Sequence, residues 1–248
     1  MRICYTKDMK IIGHRGARGL APENTIAGLR KGLEHHVDEL EFDLRVTKDG
    51  VVVLSHDAEI HDANGNALLI TAHSYAELKT HKSDLTTFEE VLDSIGHPVP
   101  LHVEIKREVP IEPIVKIIRD RLQNGWSTQD FRLASRSLVI LRGMQREFPD
   151  IQRVVIELWS GVRATWKARQ VNTKRISMLE YWLWSGFISS MKRGGYELYA
   201  FPPQYPKIEQ FWAKFGLSGI VNNPAKAKRW EKHGLAGVFT DYPDRFEK

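Results

Sequence analysis

Short apolar runs alternate with stretches of helical periodicity along most of the chain. The extended runs fall at Lys10–His14, Glu39–Val46, Leu101–Lys106, Phe131–Ser135, Arg153–Trp159, Arg175–Glu180, Ser218–Asn222 and Val238–Asp241. Between them, Asn24–His35, Thr87–Ile95, Ile111–Asn124, Ser137–Phe148 and Ala225–His233 read as helices with one buried face. This alternation implies βα units on a parallel sheet. Eight such units favour a closed barrel, and an open doubly wound sheet is the alternative that the pattern leaves standing. From Gly186 to Phe215 the pattern blurs, and Glu197–Phe201 competes for a place among the last strands.

One segment breaks the alternation. Lys48-Asp49-Gly50 is a turn signal, and Val51–Ser55 returns as a second short extended run. From His56 to about His81 the chain is rich in Asp, Asn, His and Gly. A connection this long and polar does not suit a barrel loop, so an insertion at about 51–85 is expected near the functional end. No Pro/Gly/Ser linker and no internal repeat divides the chain, so residues 1–248 are expected to form a single α/β domain.

Hydrophobic residues make up 42% of the 248 positions, enough for a sizeable core. The formal charge of +5 favours anionic substrates or surfaces, although a solvated basic face accounts for it equally well. No basic tract with interleaved aromatics points to nucleic acid. Cys4 is the single cysteine, which excludes an intrachain disulfide and permits a reducing compartment. The first residues meet charge before any apolar stretch of signal-peptide length, and no apolar run is long enough to span a membrane. A soluble cytoplasmic protein without stable membrane insertion is the expectation.

The residues able to carry chemistry are unevenly placed. Glu41 and Asp43 lie two apart on one strand, so both carboxylates share a face, and Glu104 and Lys106 repeat that spacing on the next. Adjacent inward carboxylates repel and resist burial unless a cation neutralises them. Glu41, Asp43 and Glu104 together offer oxygen ligands to a hard cation, Mg²⁺ or Ca²⁺, with Mn²⁺ a further choice. No Cys/His cluster has the spacing of a zinc site. A structural ion network with Arg45 or Lys106 explains the same carboxylates about as well. His14 and Arg15 end the first strand, and His56 adjoins Asp57.

The order of these features resembles the glycerophosphodiester phosphodiesterase family. The resemblance rests on Gly13-His14-Arg15-Gly16, Pro22-Glu23-Asn24-Thr25, Glu41-Phe42-Asp43, Thr47-Lys48-Asp49-Gly50, His56-Asp57, Glu104-Ile105-Lys106 and Thr240-Asp241-Tyr242-Pro243. It is dense from Ile11 to Lys106 and returns from about Val221 to Asp244. It implies a (β/α)₈ TIM barrel with a small insertion after the second strand. It further implies one divalent cation held by Glu41, Asp43 and Glu104, His14 and His56 as an acid–base pair, and Arg15 and Lys106 near the phosphate. The implied reaction is hydrolysis of a small-molecule glycerophosphodiester to an alcohol and glycerol 3-phosphate. Attack on phosphorus raises charge on its non-bridging oxygens, which a cation, Arg15 and Lys106 would offset. An imidazole pair starting in opposite protonation states would serve nucleophile and leaving group. Water and the substrate's own glycerol 2-hydroxyl both qualify as nucleophile.

Two departures stand out. Gly219-Ile220-Val221-Asn222 puts glycine where the family carries an aromatic residue on the seventh strand, and Ile60–Gly65 replaces the Arg-Thr element after His56-Asp57. Tyr181–Phe187 is aromatic-rich; it reads either as a pocket mouth for a lipid or choline-like group or, more simply, as helix packing against the barrel. Lysophospholipase D or sphingomyelinase D-like activity is the alternative on the same site. A catalytically inactive binding barrel is a third reading. Arg18, farther into the glycine-rich loop than Arg15, is expected to be dispensable for chemistry.

Overall fold

A computed structural model describes residues 9–203 and 219–246. Eight parallel strands close into a ring: β1 (Lys10–Gly13), β2 (Glu39–Val46), β6 (Leu101–Ile105), β7 (Phe131–Ser135), β8 (Gln152–Glu157), β9 (Arg175–Leu179), β10 (Glu197–Phe201) and β11 (Gly237–Thr240). Closure is made by β1, which pairs with β2 at Ile12↔Glu39 and with β11 from Lys10↔Gly237 to Gly13↔Thr240. The open-sheet alternative is thereby set aside, and the architecture is a (β/α)₈ barrel.

Helices α1 (Ile26–Glu34), α3 (Phe88–Ile95), α4 (Glu112–Gln123), α5 (Leu138–Glu147), α6 (Gly161–Gln170), α7 (Ser185–Arg193) and α8 (Pro224–Glu231) pack outside the ring. Their starts are chemically marked. Thr25, Thr87, Ser137, Ser160 and Asn223 each turn a side-chain oxygen onto a backbone N–H of the first turn, where the helix cannot satisfy its own donors. The main core lies between strands and helices, with Phe42, Val103, Leu133, Val155 and Ile176 facing Leu29, Val91, Ile118, Leu141 and Ala164. Gly16 explains why the first loop must be small: its φ is +88°, and an added Cβ would collide with the Gly28 backbone.

The insertion takes shape after β2. β3 (Val52–Leu54) pairs antiparallel with β2, from Leu44↔Leu54 to Val46↔Val52, and β4 (Glu59–His61) and β5 (Ala67–Leu69) form a hairpin. Helix α2 (Tyr75–His81) follows. Val53, Ile60, Ile70, Leu78 and Leu85 give this part a small core of its own.

One expected strand is replaced. Ser218 lies outside the described residues, and 219–222 form a turn rather than a strand; Glu197–Phe201 holds the seventh place in the ring. The cause is local. Gly219 has a φ of +71°, and the backbone N–H groups of Gly219, Ile220 and Val221 donate to the Glu180 carboxylate at 2.7, 2.7 and 3.0 Å instead of to a neighbouring strand. Glycine at this position therefore answers a backbone demand.

Candidate active site

All the expected site residues come to the C-terminal ends of β1, β2 and β6 and to the loop after β3. Parallel pairing sets Asp43 beside Glu104, and Glu41 two residues back shares their inward face. Carboxylate oxygens of Glu41, Asp43 and Glu104 lie within 4.8 Å of one another. Lys106 Nζ reaches Asp43 and, at 2.8 Å, Glu104, so part of the ion network foreseen from sequence exists alongside the cluster. Arg45 is engaged elsewhere and donates to the His56 carbonyl at 2.8 and 3.2 Å.

The electrostatics separate the three acids. Burial and the neighbouring charges of Asp43 and Glu104 push Glu41 well above the usual carboxylate range. Burial would raise Asp43 too, but Lys106 and Arg15 hold it below that range. A buried carboxyl kept reluctant to ionise by desolvation and by two carboxylates beside it fits a site for a divalent cation, which would offset both. Arg15 remains charged despite burial, because Asp43, Glu23 and Glu41 surround it. It holds φ +50°, its N–H donates to Glu41 Oε2 at 2.7 Å, and its Nη1 donates to Glu23 Oε1 at 2.8 Å.

Sequence reasoning named no role for four residues that build this centre. Asn24, at φ +55°, clasps Asp43 both ways: its Nδ2 donates to Asp43 Oδ2 and its Oδ1 accepts from Asp43 N, each at 3.0 Å. His14 Nδ1 lies 2.6 Å from Asp241 Oδ1. Asp241 is held in turn by Arg18 Nε at 2.7 Å and Asn222 Nδ2 at 3.2 Å. The signal was present, since Asn24 and Asp241 both stand in the quoted motifs; what sequence lacks is the 227-residue reach from His14 to Asp241.

His56 Nδ1 sits 2.8 Å from Asp57 Oδ1. Burial lowers both imidazoles, against the pull of Asp241 on His14 and of Asp43 on His56. They thus shift in the same direction rather than apart. Asp241 stays below the usual carboxylate range: burial opposes this, and the His14 hydrogen bond and Arg18 outweigh it. His14, Arg15, His56, Glu104 and Lys106 border one cavity of about 410 Å³, whose farther wall is apolar. The aromatic-rich segment divides: Trp182 lines this cavity, Leu183 is buried, and Trp184 is exposed.

A family model described as the glycerophosphoryl diester phosphodiesterase family matches residues 14–180. A Bacillus subtilis glycerophosphodiester phosphodiesterase is 25% identical over 96% of this chain and 85% of its own length. A human lysophospholipase D is 34% identical over 42% of this chain and 34% of its own. Among solved structures, an Oleispira antarctica phosphodiesterase in complex with the product sn-glycerol-3-phosphate superposes with a TM-score of 0.77 at 22% identity, covering 96% of this chain and 95% of that one. With the barrel in agreement and a family model matching two thirds of its length, the chain belongs to the glycerophosphoryl diester phosphodiesterase family.

Proposed function

We propose that the enzyme hydrolyses glycerophosphodiesters to an alcohol and glycerol 3-phosphate, with His14 and His56 carrying protons and Glu41, Asp43 and Glu104 holding one divalent cation, Mg²⁺, Ca²⁺ or Mn²⁺. The observation that carries this is convergence: two imidazoles and two buried cations border a cavity beside a cluster of three carboxylates. The product bound by the Oleispira phosphodiesterase supports glycerol 3-phosphate as the retained half.

Asp241 is ionised, so His14 donates through Nδ1 and turns Nε2 to the cavity with a free lone pair. Arg15 and Lys106 attract the phosphodiester and oppose the charge that grows on its non-bridging oxygens. The bound cation would add to that stabilisation. Burial lowers both imidazoles in the free site and an anionic substrate pulls them back up, so one can hold the proton for the leaving alkoxide while the other stays open to accept the nucleophile's. A catalytically inactive barrel would have no need for Asp241, Arg18 and Asn222 to be spent on orienting one histidine.

The test is release of glycerol 3-phosphate from glycerophosphocholine, with chelator and with each cation restored. Activity that survives chelation, or that persists in both His14→Ala and His56→Ala, would refute the assignment.

A further inference from the structure

Successive barrel strands β7, β8 and β9 each lead into a helix that starts at the same rim as the cavity. Each of those helix starts exposes an apolar side chain. Val139 in the first turn of α5 is 80% exposed, Val162 in the first turn of α6 is 82% exposed, and Trp184 capping α7 is 60% exposed. Trp159, in the loop between β8 and α6, is 64% exposed. Among the described residues, seven large hydrophobic side chains are exposed, and these four with Trp166 make five of them. So dense an arc on one rim marks a contact surface rather than scattered surface apolarity.

The arc is rigid. Glu157 accepts from the N–H groups of Leu158 and Trp159 and pairs with Lys167 at 2.8 Å, which fixes the loop that presents Trp159. Trp159 and Trp182 meet edge to face at 6.1 Å, and Trp184 packs on Phe187 at 5.4 Å. Its charge is one-sided. No Asp or Glu occurs in residues 136–146, 158–179 or 181–196, whereas Arg136 and Arg163 stand exposed at the rim. Across the ring, opposite β9, the insertion after β2 carries Asp57, Glu59 and Asp62. The arc also runs into the cavity, whose apolar wall is Ile156, Leu158, Leu179, Trp182 and Phe201.

We infer that this arc is a docking surface for an anionic phospholipid membrane. Exposed tryptophan with basic neighbours, the nearest carboxylate being the buried Glu157 that Lys167 and Arg163 already neutralise, matches the interfacial region of such a surface, where indole rings settle and cations are attracted.

Sedimentation with vesicles of phosphatidylcholine, alone or mixed with phosphatidylglycerol, tests docking. The wild type is expected to bind the mixed vesicles, more weakly as salt rises, with a blue shift of tryptophan emission. The triple variant Val139→Ser, Val162→Ser, Trp184→Ser should lose about tenfold or more of that affinity, since apolar surface drives the contact, while keeping its rate on soluble glycerophosphocholine. Val162→Glu, at the most exposed of these positions, provides a second variant that leaves the fold undisturbed. Equal binding to both vesicle types, or binding unchanged in both variants, would overturn the inference. So would a concentration-dependent dimer abolished by the triple variant, which would assign the arc to a second copy of the chain. A wild type that binds vesicles yet cleaves no phosphodiester would refute the proposed function and leave docking intact.

Discussion

Arg18 illustrates how a single side chain changes standing once its partner is known. Its place in a glycine-rich loop leads to the expectation that it is dispensable for chemistry, yet it grips the carboxylate that orients His14. Removing it leaves Asp241 with Asn222 and His14, so the effect should be intermediate. Arg18→Ala is expected to lower kcat several-fold with KM little changed, and Asp241→Asn about 10–100-fold, the range for partners that orient an imidazole. Steady-state kinetics of both variants beside Arg15→Ala check this; Arg15→Ala should raise KM as well, because it faces substrate. For the histidines, each alanine variant should lose roughly 10²–10⁴-fold in kcat. A nitrophenyl phosphodiester, whose leaving group needs no proton, should rescue only the variant that lacks the acid.

Elements were legible to the degree that their buried face was large and regular. β2 and β7 keep their expected bounds because apolar residues alternate with polar ones along them, and α1, α3, α4 and α5 differ from expectation by a residue or two. Helix α6 was missed because its buried face is Ala164, Lys167 and Ala168, too small and too polar to register as an apolar stripe. The false strand at Ser218–Asn222 has the opposite cause: Ile220 and Val221 look like strand residues and are buried, but their N–H groups serve Glu180. The carboxylate cluster was legible because a period of two is local, whereas Asn24, Asp241 and Arg18 depend on contacts between loops. The turn itself offers a test. An added Cβ at Gly219 would find open space, with Lys226 Nζ at 3.9 Å the nearest atom, so only the backbone angle resists substitution. Gly219→Ala should therefore cost about 1 kcal/mol in urea-induced unfolding, and a larger residue little more.

At the scale of the whole barrel, the end away from the cavity holds a buried polar plug. Glu39 meets Arg175 at 2.7 Å and Lys10 at 3.1 Å, and Arg175 also donates to the Tyr199 hydroxyl at 2.6 Å. His102 stands among them, lowered by burial although Glu39 pulls it upward, and Glu39 is held below the usual carboxylate range. Both shifts have the same consequence. The unfolded chain takes up protons more readily than the folded one as pH falls, first at the histidine and then at the carboxylate, so stability is lost towards acid. Unfolding free energy should fall as pH drops below about 6.5, the ordinary histidine value. His14 and His56, also lowered by burial, add to the same limb, so His102→Gln should make it shallower without removing it, and a slope unchanged in the variant would place its origin elsewhere.

The ring is closed by β1 and β11, which are the first and last of its strands to leave the ribosome. His14 follows one and Asp241 the other, so the imidazole waits for its carboxylate until the last strand of the ring has been made. A nascent chain that stops short of β11 already carries every carboxylate of the acidic cluster and both histidines, but His14 has no fixed tautomer and no fixed aim. If His14 carries the proton as proposed, activity should appear only with ring closure, the slowest kind of contact to make because it joins the most distant strands of the ring. In refolding from urea, return of activity should lag behind return of helical signal, and the lag measures how long the barrel remains unsealed.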